Sequence, residues 1–599
     1  MEKCKELPAR EQIAEVFKWR LEDLFETDEA WEKACETLNA QTKEVASYAG
    51  MISRNAECMA QYLQKCDEAE MLYERIVVYS NEKMHQDMGE AKYQGYAAKA
   101  QTIGAQLMEA EAFFEPELLE MDEVVLAQFQ TECEELAPYK LLIERVLRKK
   151  EHTLSRREEE LLAKTYEIGS TAQDVFMLFN NADLKFGEIK DEEGNSVELT
   201  HGRFIRFMES GDREVRKNAF LTLYHKYGEY KNTLAATYLA NLKKAKFYAD
   251  VRKYPSALAA SLDESHIPEQ VYENLIDTVH SFLPAMYRYV ALRKKVLGVK
   301  ELHMYDVYAR LTGDYKMEIP YDKAKEMVLA GLAPLGEEYV FHLKEGFSQK
   351  WIDVYENKGK RSGAYSWGAY GTHPYVLLNY GDKLDDVFTL AHEMGHALHT
   401  YYSSETQPYT YSNYRIFVAE VASTCNESLL MQHLLKQADK QEKIYLLNYF
   451  IDQFKGTIFR QTMFAEFEKI THDMYAKGEA VTVNSLCEVY MKLNKLYFGE
   501  EMVSDVEIGM EWARIPHFYN EFYVYQYATG FSAAIALSKR ILNEGEKAVE
   551  DYKTFLKGGC SKDPIELLKT AGVDLSSPEP IRAALSLFEE LIAQLEALL

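Results

Sequence analysis

A predominantly α-helical fold follows from three features of this sequence. Proline and glycine are scarce, 14 and 30 in 599 residues, although strands and tight turns depend on them. Leu, Ala, Glu and Lys recur at helical spacing through most of the chain. Only two stretches, 184–200 and 358–387, break that rhythm. The expected architecture is a mainly α, multi-helix protein with a small β-sheet.

EQIAEVFKWRLEDLF (11–25) places Ile13, Val16, Phe17, Trp19, Leu21 and Leu24 largely on one side, which predicts a helix. DEAWEKACETLNAQTKEVASYAGMI (28–52) predicts a second, and IRAALSLFEELIAQLEALL (581–599) another. LKFGEIKDEEGNSVELT (184–200) alternates apolar and polar residues on either side of Glu193-Gly194-Asn195, a hairpin signal. Residues 358–387 carry five glycines and then the run Tyr375–Tyr380, YVLLNY, so a glycine-rich loop and a strand are expected there. Breaks near 110–117 and 183–200 suggest an N-terminal helical region, 1–113, a second helical region, 114–199, and a large C-terminal domain, 200–599.

The formal net charge is −27, which disfavours nucleic acid and anionic lipid as partners. Eight cysteines are scattered without a CxxC pair, unlike a disulfide scaffold or a structural zinc knuckle. The opening MEKCKELPAREQIAEVF lacks the apolar run of a signal peptide. No run of about 18 apolar residues suggests a membrane span. A reducing, cytoplasmic location is expected.

TLAHEMGHALHTYY (389–402) sets His392 and His396 four residues apart, with Glu393 between them. DKLDDVF before it places acidic residues in the first turn of a helix starting near Asp382–Asp385. Residues four apart lie one above the other on a helix, so both imidazoles can face one ion. Catalytic zinc takes three protein ligands and keeps one position for water. Glu393 is placed to take that water's proton. HExxH arises by chance in about 0.04 of chains this long, so the alternative is a solvated polar helix face.

The third ligand must come from elsewhere. His399 lies one turn on, but a straight helix does not easily wrap three side chains around one ion. Tyr402 stands where the long-spaced metzincin pattern needs its third histidine. His399 is therefore read as a supporting or structural residue. SNYRIFVAEVASTCNESLLMQHLLK (412–436) predicts a helix capped by Ser412 or Asn413. Its Glu420 lies in an apolar stretch, where an uncompensated carboxylate is costly and an ion would compensate it. Glu420 is the expected ligand, and Glu427 the rival or a supporting partner.

RIPHFYNEFYVYQYATG (514–530) concentrates His517, Tyr519, Tyr523, Tyr525 and Tyr527. Aromatic packing explains some of them. Phenols and an imidazole are also the donors a developing tetrahedral oxyanion needs. Read as one helix, this segment groups Tyr519, Tyr523 and Tyr527 on a face that excludes Tyr525, and the donor stays open.

Together LAHEMGHALH, FVAEVASTCNE and RIPHFYNEFYVYQYATG resemble the thimet-oligopeptidase family of zinc peptidases, its oligoendopeptidase F branch most closely. SGAYSWGAYGTHPYVLLNY, GDREVRKNAF (211–220) and WRLEDLFETDEAWE (19–32) fit as well, so the resemblance covers nearly the full length. It implies an α-helical ellipsoid with a deep channel that admits unfolded peptides. It implies one zinc ion on His392, His396 and Glu420, with Glu393 as general base in the 200–599 catalytic domain. His517 and a tyrosine, Tyr525 first and Tyr519 second, are implied as oxyanion stabilisers. The spacing from histidine to tyrosines is shorter here than in the thimet branch, and Phe522 stands at one tyrosine position. The implied substrates are oligopeptides, cut internally by a monomer or weak homodimer. A peptide would pair with the strand near Tyr375 under the Gly363-Ala364-Tyr365 loop, with Tyr523 also in contact. The rivals are a helical zinc carboxypeptidase, which would grip a free carboxylate through a residue such as Arg415 or Arg514, and a non-catalytic peptide-binding protein.

Overall fold

Short polar side chains start many of the helices. Thr27 accepts the Ala30 amide at the head of Asp28–Ala46, and Asn55 accepts the Cys58 amide at the head of Ala56–Gln86. Such elements recur throughout the computed structural model, which describes residues 6–312 and 317–599. Among these residues the fold is mainly α, with three small sheets. Among the described residues, no helix is long and apolar enough to cross a membrane.

The chain forms two compact units. The first comprises Met1–Glu151, Lys316–His433 and Leu537–Val573. The helices Asp28–Ala46, Ala56–Gln86 and Ala91–Glu111 enclose a core containing Trp31, Leu38, Met59, Ile76 and Ile103. Trp31 packs there with its ring N–H donated to the Ile76 carbonyl at 3.0 Å, so its one polar atom is not left unpaired.

The same unit holds a three-stranded sheet. Tyr375–Leu377 lies in the middle, parallel to Ile352–Asp353 and antiparallel to Tyr365–Trp367. Tyr375 and Leu377 turn into the helical core beside Trp19. The expected strand before the HExxH helix is thus present, three residues long.

The predicted helix over 11–25 is absent. The segment makes three short 3-10 turns, Arg10–Gln12, Glu15–Phe17 and Leu21–Asp23. Its main chain is hydrogen-bonded to the 350–354 segment instead: Arg20 N–H reaches the Lys350 carbonyl, and Phe17 accepts from Val354. Ile13, Trp19, Leu21 and Leu24 are buried as expected, but Val16 is 70% exposed. Tertiary pairing has overridden a helical apolar pattern.

The second unit comprises His152–Tyr315, Leu434–Ala536 and Asp574–Leu599. The predicted hairpin pairs Glu188–Lys190 with Ser196–Glu198, its turn closed by Gly194 at φ +82°. Behind it stand the helices Arg156–Leu178, Arg213–Glu229 and Lys231–Val251. The C-terminal helix, Glu579–Leu598, matches its prediction closely. Two buried carboxylates here are paired with arginines. Asp306 is bound by Arg213 and Arg216, and Glu511 by Arg460, Arg514 and the Tyr490 hydroxyl.

Candidate metal centre

The HExxH helix spans Leu384–Thr406, as its acidic first turn predicted. Asp386 anchors its start by accepting the Gly381 and Lys383 amides at 3.0 and 2.9 Å. The next long helix spans Ile416–Gln437. It begins later than predicted, because Tyr409–Ser412 forms a separate helical turn. Neither proposed cap serves it: Ser412 donates to the Tyr409 carbonyl and Asn413 to Glu74.

These two helices cross in backbone contact at Gly395. A Cβ there would lie 2.6 Å from Ser423 Cα. Asn426 fixes the register, donating to the Ala391 carbonyl at 3.0 Å while accepting from the Tyr339 hydroxyl. The close approach brings His396 and Glu420 together.

His392 Nε2 lies 3.2 Å, and His396 Nε2 3.4 Å, from the same Glu420 oxygen. Among the described residues these three form the one group of three or more His, Cys, Asp or Glu side chains able to hold a metal ion. A tetrahedral ion with bonds of about 2.0–2.1 Å spaces its ligands roughly 3.3–3.4 Å apart, so the donor set fits zinc. Glu427 sits behind, 2.5 Å from His392 Nδ1. It leaves Nε2 as the nitrogen facing the cluster. Ser423 donates to Glu420 Oε2 at 3.0 Å, a partner one helical turn away that the spacing would have suggested.

The electrostatics favour a cation. Burial alone would lower the His392 pKa, but hydrogen bonds to Glu420 and Glu427 raise it to about 10. Burial pushes Glu420 up, and the two histidines overcome this to hold it well below the carboxylate range. Glu393 is 6% exposed, and its Oε2 has no hydrogen-bond partner. Burial raises its pKa despite the neighbouring histidines, which suits a proton acceptor working nearer neutrality.

His399 stands outside the cluster. It is fully buried and stacked 3.7 Å from Tyr414, and burial drives its pKa down to about 3, so it is neutral. The expected supporting role is a packing role.

The other expected residues are spread more widely. Gly363 and Ala364 form the loop entering the strand Tyr365–Trp367, Gly363 at φ +87°. Tyr375 is fully buried, and its strand is paired on both sides. Tyr375–Leu377 thus has no free edge; the outer strands of this sheet are Ile352–Asp353, flanked by the 11–25 segment, and Tyr365–Trp367, formed where the glycine-rich loop folds back.

His517 and the tyrosines belong to the second unit, and 514–530 is not one helix. Pro516–Tyr519 is a 3-10 turn, and the following helix starts at Tyr525. Phe522 between them has φ +55°. The shared face of Tyr519, Tyr523 and Tyr527 is thus replaced. Tyr527 lies 3.2 Å from His517 Nε2, and Tyr523 flanks the same ring. Tyr519 bonds Thr237 and stacks on Phe176, while Tyr525 is buried beside Tyr272. Arg514 is held by Glu511 and the Tyr224 hydroxyl.

With this geometry in place, comparison with known proteins is direct. The model of peptidase family M3 matches residues 206–587, and that of oligopeptidase F matches 117–186. Oligopeptidase PepF of Bacillus subtilis is 49% identical over 598 residues, covering 100% of this chain and 89% of the relative. An oligoendopeptidase F homologue of Lactococcus lactis is 41% identical, covering 98% of each. The crystal structure of oligoendopeptidase-F from Enterococcus faecium superposes with a TM-score of 0.74 at 38% identity, over 95% of this chain and 99% of that one. A crystal structure from Chlamydophila abortus gives 0.93 at 35% identity, over 99% and 100%. The chain is a metallo-oligopeptidase, a hydrolase, and belongs to peptidase family M3.

Proposed function

We propose that the enzyme is a zinc-dependent endopeptidase that cuts internal bonds of short, unfolded oligopeptides, with one zinc ion per chain on His392, His396 and Glu420. The carrying observation is the convergence of two imidazole nitrogens on one carboxylate oxygen at 3.2 and 3.4 Å. This nitrogen-rich donor set suits zinc better than magnesium or calcium, which prefer oxygen. When bound, zinc supplies Lewis-acid chemistry, polarising the scissile carbonyl and activating water.

The chain's own groups do the rest. Glu427 orients His392. Glu393 takes the proton from the attacking water and delivers it to the leaving amine. The strand Tyr365–Trp367 offers its main-chain edge to an extended peptide, with Gly363 and Ala364 at its entrance. His517, whose pKa burial and the Arg460 charge lower, donates to the oxyanion together with a tyrosine. Tyr525 is the choice the family resemblance makes and Tyr527 the ring beside His517, and separate Tyr→Phe variants distinguish them. The proposed location is the cytoplasm, and the proposed state is a monomer or weak homodimer. Engagement of Arg514 by Glu511 weighs against a carboxypeptidase that would need that charge for its substrate.

The test is mass spectrometry of a nonapeptide blocked at both ends, with and without chelator. Internal cuts that stop with chelator and return with zinc support the reading. Trimming only of a peptide with a free carboxyl end makes the enzyme a carboxypeptidase, and silence on both leaves a peptide-binding protein.

A further inference from the structure

We propose that Glu82, His85 and Arg361 form a hydrogen-bonded chain that positions Tyr365, and through it the edge strand Tyr365–Trp367, for peptide binding. This rests on the reading that the strand's open edge receives the substrate.

Glu82 and His85 lie one turn apart near the end of the helix Ala56–Gln86, 0% and 4% exposed. The Tyr365 hydroxyl is 2.6 Å from Glu82 Oε2 and 2.6 Å from His85 Nδ1. Arg361 Nη1 lies 3.0 Å from His85 Nε2. Two of these contacts have a fixed direction. A guanidinium can only donate, so His85 Nε2 must accept. The Nδ1 of the neutral ring then carries the proton and donates to the Tyr365 oxygen. The Tyr365 hydroxyl then bonds Glu82 Oε2, whose carboxyl group burial raises to about 8. Burial holds His85 down, at about 4, in keeping with a neutral ring.

The chain secures a short outer strand, whose Tyr365 and Trp367 also pack against the helical core. Tyr365–Trp367 is three residues long and paired on one side only, and the preceding Ser362 and Gly363 are exposed. Arg361 ties the loop's start a second time, its amide donating to the His85 carbonyl at 3.0 Å. Asn379 donates to the carbonyls of Arg361 and Gly363. Glu82 Oε1 has no hydrogen-bond partner. A buried carboxyl group and imidazole cost stability that an apolar contact would not, so what this chain provides is one fixed position for the tyrosine and its strand.

Three variants test it: Tyr365→Phe, Glu82→Leu, and Glu82→Gln, which keeps an acceptor for the hydroxyl. Two readouts are used: kcat and KM on the blocked nonapeptide, and amide hydrogen exchange over 361–367 with no substrate present. Tyr365→Phe and Glu82→Leu should raise KM by roughly 3- to 10-fold, the effect of one hydrogen bond, with a much smaller change in kcat. Both should speed exchange over 361–367. Glu82→Gln should recover most of both effects. Unchanged exchange in Tyr365→Phe, or Glu82→Gln behaving like Glu82→Leu, overturns the proposal. Faster exchange with wild-type KM also overturns it, since the strand would then be ordered for another reason. Failure of the endopeptidase reading is separate: it shows as uncut peptide with the wild-type enzyme, while the exchange readout still judges the chain.

Discussion

At the scale of single residues, the groups proposed for proton transfer and for metal binding differ in their partners. Glu393 Oε2 is buried without a hydrogen-bond partner, whereas Glu420 and Glu427 are committed to histidines. Glu393→Gln should therefore retain zinc but lose about 10²–10⁴ in kcat; metal analysis beside turnover checks it, and wild-type-like activity would end the base assignment. Glu427→Ala should weaken zinc affinity about 10- to 100-fold by freeing the His392 ring, measured by competition with a chromophoric chelator. The HExxH residues were legible as candidates from their spacing, and Glu420 from the apolar stretch around it. Glu427 was legible as rival ligand or supporting partner, but which of the two was not, since 35 residues separate it from His392 and only the helix crossing joins them.

Between elements, the decisive contact is Gly395 against Ser423. Gly395→Ala must push the helices Leu384–Thr406 and Ile416–Gln437 apart, as the added carbon meets backbone rather than a movable side chain. The expected cost is about 1–3 kcal/mol, with weaker zinc binding, read by urea unfolding and metal titration; normal values for both would refute this account of the crossing. In the second unit, burial pushes the Glu511 carboxyl up, but Arg460, Arg514 and Tyr490 outweigh it and hold it at about 2, against an ordinary 4.5. A depressed carboxyl stabilises fully above its unfolded value and loses that contribution as pH falls from about 4.5 to 2. Unfolding midpoints measured across that window should fall for the wild type and less steeply for Glu511→Gln. The 11–25 and 514–530 segments were misread at this scale, because in both the backbone follows partners or a strained residue that periodicity does not encode.

For the whole molecule, the proposed ligands come from two helices of the first unit, so metal binding would be coupled to that unit's stability. Zinc at 100 times its dissociation constant would add about 2.7 kcal/mol. Chelation should lower the thermal midpoint and reduce hydrogen-exchange protection over 384–437; an unchanged midpoint would mean that the site binds no ion tightly.

Composition and periodicity by themselves determined the mainly α class, the 188–198 hairpin, and the spacing that makes His392, Glu393, His396 and Glu420 candidates. All of these are local patterns within one or two elements. Only the tertiary structure decided that Tyr375 lies in a central strand, that His399 packs on Tyr414, and that Tyr365 meets Glu82 across 283 residues. Such contacts depend on how separate elements pack, and the apolar surfaces that drive packing carry no address for the polar groups they bring together.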